Sequence, residues 1–110
     1  MVVVTVMSTD DLEMALRIAS DVLDGKVDII SGCRRILTYR SRVRGVSDEA
    51  WDVVTAIASE TDDVPLGAVR DAWDADALAT KDADAAAYVE RIRPAAREAF
   101  AEIVRVGLGA

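Results

Sequence analysis

Glu60, Asp62 and Asp63 fall within four residues of one another in the stretch Ser59–Val64. Hard divalent cations favour clustered carboxylates, so these three are the candidate metal ligands of the chain. The spacing does not match the D-x-D-x-D-G pattern of a Ca²⁺ loop. Every polar residue here also has a structural use. Val64 precedes Pro65 and is biased away from helical dihedrals, while Pro65 suits the first position of a following helix. Asp62 and Asp63 would lie at that helix's positive end, and Ser59 and Thr61 can satisfy loose backbone groups. A second stretch, Ser31-Gly32-Cys33-Arg34-Arg35, sets a thiol beside two guanidinium groups. Near a helix N-terminus that neighbourhood would favour the thiolate. Cys33 is also four residues after Ile29 and three before Ile36, on the apolar face, which favours a small core residue.

Several chemistries are excluded by residue type. The chain has no histidine, so Ser-His and Cys-His catalysis and histidine metal sites are absent. It has no P-loop and no G-x-G-x-x-G, and no cofactor is implied. The carboxylate pairs Asp21/Asp24 and Glu98/Glu102 share helix faces, as exposed helix acids commonly do. The net charge of −7 disfavours nucleic acid and anionic lipid, which reward Lys and Arg. Arginine outnumbers lysine eleven to two and alanine is frequent, the bias of a GC-rich bacterial genome. Cys33 is the single cysteine, so no intrachain disulfide forms, as in a reducing cytoplasm. No apolar run approaches the roughly 20 residues of a membrane helix, and the start lacks the basic region of a signal peptide.

The elements that must position these residues are helical. Residues 1–7, rich in β-branched valine, predict a short extended arm ahead of a helical domain at 8–110. With no partner strand in the chain, such an arm would pair with a second copy, dock loosely or stay disordered. A first helix is expected from Asp10, with caps from Ser8, Thr9 and Asp10, Glu13 as in a capping box, and Gly25 as its end. Its stripe is Leu12, Ala15, Leu16, Ala19, Val22 and Leu23. Asp28 caps a second helix expected to reach Arg44. Ser47 caps a third, with Trp51, Val54, Ile57 and Ala58 buried. A short fourth helix would carry Val69 and Trp73, Asp74 would open one more turn, and a long final helix would run from Lys81 to Arg105. Pro94 should kink it. Gly32 lies inside a helix at a cost of about 1 kcal/mol against alanine, which signals the close approach of another group.

At "SGCRR" and "SETDDVPLGAVRDAW" the chain resembles a family of small uncharacterised bacterial proteins. The resemblance rests on Gly32, Cys33, Arg34, Ser59, Glu60, Thr61, Asp62, Pro65, Gly67 and Trp73. It implies a cytoplasmic helical domain and supplies no reaction.

These observations predict an all-α, single-domain bundle of four to five helices. Charge is segregated along it: Arg34, Arg35, Arg40, Arg42 and Arg44 are basic, whereas from Asp48 to Asp84 eleven acids face only Arg70 and Lys81. A DNA-reading helix-turn-helix is disfavoured, because Arg70 is followed by Asp71, Asp74 and Asp76. The expected function is a non-enzymatic, cytoplasmic protein-binding module of the immunity or antitoxin kind, with homo-oligomers open to it through the arm. The alternative is an enzyme or a small-ligand or divalent-metal binder, with a site built from Gly32–Arg35 and Ser59–Asp63. As a structural clamp, Arg34 or Arg35 would reach Glu60, Asp62 or Asp63, with Arg70 nearby and Trp73 packed on Gly32.

Overall fold

The computed structural model describes the backbone of residues 2–109 and the side chains of residues 11–109. Four α-helices follow one another: α1 (Val2–Leu23), α2 (Ile29–Ile36), α3 (Asp48–Glu60) and α4 (Ala75–Gly107). Two 3-10 segments, Leu37–Arg42 and Gly67–Ala72, lie between them. The described residues contain no strand. The fold is the all-α bundle that the periodicity predicts.

Side-chain caps set three of the helix starts. Asp28 accepts the Ser31 N–H at 3.0 Å, Ser47 accepts that of Ala50 at 3.2 Å, and Asp74 accepts that of Ala77 at 3.1 Å. Each occupies the extended N-cap conformation that frees its oxygen for the first turn. The end of α1 is closed by Gly25 at φ 78°. Lys26 N–H bonds the Asp21 carbonyl at 2.8 Å and Gly25 N–H bonds that of Val22 at 3.1 Å, the paired closure that a left-handed glycine permits. Arg97 of α4 donates to the Leu23 carbonyl at 3.2 Å, satisfying a further loose acceptor of α1.

Four elements differ from expectation. The backbone is already helical at Val2, so residues 2–7 are turns of α1 and not an extended arm, and no helix starts at Asp10. A lone strand leaves its N–H and C=O groups unpaired, whereas a helix pairs them internally. The side chains that would pair this arm with a second copy lie outside the described residues. The second helix is α only to Ile36 and then tightens to 3-10 through Arg42, while the short fourth helix is a 3-10 turn throughout. The turn expected at Asp74 and the helix expected from Lys81 are one, continuous through Pro94. Pro94 removes the donor to the Glu90 carbonyl, but both residues are exposed and water can take its place.

The core gathers one face of each helix: Ala15, Ile18 and Val22 from α1, Cys33 and Ile36 from α2, Trp51, Val54 and Ile57 from α3, and Ala99, Phe100 and Ile103 from α4. Helix α4 packs against α1, α2 and α3. At 33 residues it is about 50 Å long, close to the 52 Å long axis of the molecule. Its fully buried residues begin only at Ala96. The preceding half carries Tyr88, Val89 and Ile92 half-buried against the core.

Candidate functional site: the corner after α3

Thr61 ends α3. It is 2% exposed, and its hydroxyl donates to the Ile57 carbonyl at 2.6 Å, which satisfies the one buried polar side chain of the described residues. Val64 and Pro65 are buried beside it, whereas Glu60, Asp62 and Asp63 stay in solvent.

Three cations from three other parts of the chain hold this corner. Arg34 of α2 donates one guanidinium nitrogen to the carbonyls of Thr61 and Val64, the latter at 3.0 Å. Arg70 donates to the Pro65 carbonyl at 3.1 Å and grips Asp82 of α4 with two bonds, 3.0 and 2.7 Å. Such a bidentate pair fixes orientation as well as charge. Lys81 of α4 bonds the carboxylate of Asp63. The Lys81 ammonium holds the Asp63 carboxyl below the ordinary aspartate range, and Arg70 does the same to Asp82. A similar tie sits at the start of α3. Ser47 donates its hydroxyl to Glu102 at 3.0 Å and its backbone N–H to the same carboxylate, which is thereby held below the usual range.

The segments expected to meet do meet, but through different atoms. Arg34 reaches the corner and bonds backbone carbonyls, not Glu60, Asp62 or Asp63. Helix ends expose carbonyls that a guanidinium can chelate, and the acids beside them keep their hydration. Arg35 remains exposed. A Cβ added at Gly32 would lie 2.2 Å from Val22 Cγ2 and 3.5 Å from Phe100 Cζ, so the group that needs the glycine is Val22 of α1. Trp73 is half-buried at the end of the second 3-10 segment and is not part of the core packing. Cys33 is fully buried, and burial, aided by the Asp28 charge, pushes its thiol up to about 12. The thiolate reading therefore fails. The segment after α3 that would have to read a groove, Gly67–Ala72, is a six-residue 3-10 segment and not an α-helix.

As a cation site the corner is not assembled. Among the described residues, no three acidic or cysteine side chains lie close enough to share a metal ion. Asp63 is engaged by Lys81, and Glu60 and Asp62 have no cationic partner among the described residues. Asp82 was not singled out by the sequence, Lys81 was marked only as a rare cation at a helix start, and Thr61 only as a group that satisfies loose backbone. The available signal was that Arg70 and Lys81 are the only cations among eleven acids, which forces both into competition for carboxylates.

A cleft of about 410 Å³ opens between the first half of α4 and the junction of α1 with α2, and Asp82 lines it. Val27, Ile30, Ala86 and Val89 are among its apolar lining, and Asp28, Asp82, Glu90 and Arg93 its charged lining. Comparison with known proteins finds no matching family model, no matching curated protein and no matching solved structure.

Proposed function

We propose that the chain is a cytoplasmic protein-binding module without chemistry of its own, which holds a partner with a basic surface as an immunity protein or antitoxin does. One observation carries this reading. The two cations of the acidic stretch are both engaged internally, Arg70 by Asp82 and Lys81 by Asp63. Glu60, Asp62, Asp71, Asp74, Asp76 and Asp84 of the same stretch are all exposed. Like charges gathered on one surface repel one another in the free protein, and a basic partner relieves that repulsion and is steered toward it. The arrangement also gives the conspicuous residues of the corner an internal role, which leaves the outer acids as the available chemistry. The resemblance to small bacterial helical proteins and the single buried thiol support a cytoplasmic setting.

The test is isolation of the chain with its partners from the source organism at low salt, followed by binding measurements on the purified pair. Affinity should fall as salt rises. The triple variant Asp62→Lys, Asp76→Lys, Asp84→Lys should bind roughly a hundredfold more weakly. Recovery of no protein partner, or an affinity indifferent to both salt and charge reversal, overturns the proposal.

A further inference from the structure

We infer that residues 66–73 form a strap latched to α4 by one ion pair, Arg70 with Asp82, and that salt opens this strap as a unit while the helical bundle stays folded. The inference goes beyond the binding proposal and holds whether or not a partner is found.

The strap lies outside the packing that holds the rest of the chain. The four helices and the first 3-10 segment share interfaces with one another, whereas Gly67–Ala72 has no comparable interface with any of them. Leu66, Val69 and Trp73 belong neither to the core nor to the apolar layer around it. Val69 is 56% exposed, and Leu66 and Trp73 are only half-buried. A short run of 3-10 helix adds little of its own, because its hydrogen bonds are poorer in geometry than those of an α-helix. Both ends can turn. Gly67 stands at φ 67°, with open space where a Cβ would be. Trp73 is extended, and behind it Asp74 caps α4 through the Ala77 N–H at 3.1 Å. The start of α4 is thus secured without the strap.

Arg70 is what holds the strap down. Among the described residues, its side chains make three hydrogen bonds to the rest of the chain, all from Arg70: one to the Pro65 carbonyl at 3.1 Å and two to Asp82 at 3.0 and 2.7 Å. Pro65 adjoins the root of the strap, so only the bonds to Asp82 reach another element. Asp71, the other carboxylate that acts on Arg70, rides on the strap itself. The fork to Asp82 fixes direction as well as distance. Yet the pair sits at the surface, with the Arg70 side chain 34% exposed and that of Asp82 44%. Attraction between such groups fades as the Debye length shrinks from about 8 Å at physiological salt to about 3 Å at 1 M. The bundle is held by apolar burial, which does not depend on that screening. Arg34 bonds the carbonyls of Thr61 and Val64 on the near side of Pro65, so the corner stays anchored and the moving part begins beyond it.

The test is amide hydrogen exchange of the full chain, read by NMR at about 0.1 M and about 1 M NaCl and normalised to the unfolded chain at the same salt. The Trp73 amide, which bonds the Arg70 carbonyl at 3.1 Å, should exchange roughly tenfold faster at the higher salt. The amides of Val54 and Phe100 in the core should keep their protection. Asp82→Asn should exchange at low salt as the wild type does at high salt, and should lose most of the response to salt. Asp82→Glu keeps the charge and should keep both the protection and the response. An unchanged Trp73 amide in Asp82→Asn, or the same salt response in Asp82→Asn as in the wild type, overturns the inference. So does an acceleration that reaches Val54 and Phe100 in equal measure, because the strap would then open only with the whole bundle.

Discussion

Replacing Gly32 by alanine should destabilise the fold, although intrinsic propensity alone favours it. Alanine in a helix interior gains about 1 kcal/mol over glycine. The new methyl, however, would lie 2.2 Å from Val22 Cγ2. Val22 is 4% exposed and β-branched, so its methyl has no free rotamer to swing into. Overpacking of this kind costs about 1–3 kcal/mol, and so short a contact belongs at the upper end, for a net loss of about 2 kcal/mol. Val22→Ala alone removes two buried carbons and leaves a void, a loss of about 2 kcal/mol. The double variant differs in kind. Alanine at 32 would then meet Cβ of residue 22 at 3.6 Å and Phe100 Cζ at 3.5 Å, both ordinary contacts, and would refill the void. Its loss should be smaller than the sum of the single losses by about 2 kcal/mol or more. Urea unfolding of the four proteins, with slopes checked for equality, reads this directly. A Gly32→Ala protein as stable as the wild type, or strict additivity in the pair, would refute the packing argument.

Arg34→Ala should cost about 2–4 kcal/mol: Val64 O loses its cationic donor, while Thr61 O keeps the Val64 N–H at 3.1 Å. Glu60→Ala should cost under about 0.5 kcal/mol, as expected for an exposed side chain, and the pair should be additive; coupling above about 1 kcal/mol would mean that Arg34 pairs with the carboxylate in solution. The depressed carboxyl of Glu102 sets a sign in pH. Its contribution to stability is present above the unfolded value near 4.5 and is lost as pH falls through the lower folded value. Glu102→Gln should therefore melt lower than the wild type at pH 7, with the gap closing by about pH 3, and a gap of equal size at both pH values would falsify the Ser47 tie.

Local signals were legible wherever a residue acts on its own neighbourhood. Asp28 and Ser47 cap the helices they precede, Gly25 ends α1, and the stripes through Val22, Cys33, Trp51 and Phe100 all turn inward. The charged corner was legible as a meeting of segments, since Arg34 does cross to it. Its atoms were not, because periodicity marks faces and says nothing about whether a guanidinium prefers a carbonyl or a carboxylate. The valines at the start misled for a related reason. β-Branching favours extended backbone only where a neighbouring strand exists to pair with it. Partner choice for Arg70 and Lys81 depends on how α4 passes the corner, which is a property of the whole bundle.

The corner at 61–65 also bears on the order in which the chain assembles. Its ties span 27 residues from Arg34 to Thr61 and 18 from Asp63 to Lys81. Neither of these two exists until the helix that carries its cation has docked, because a long loop must close before such a contact returns any energy, whereas the Arg70 bond to Pro65 spans only five residues. The corner is thus a late-forming unit, and its substitutions should chiefly accelerate unfolding while leaving the folding rate almost unchanged. In hydrogen exchange the amides of Thr61, Asp62 and Val64 should open together and earlier than those of the buried helix faces, as a small cooperative unit released when its cationic ties let go.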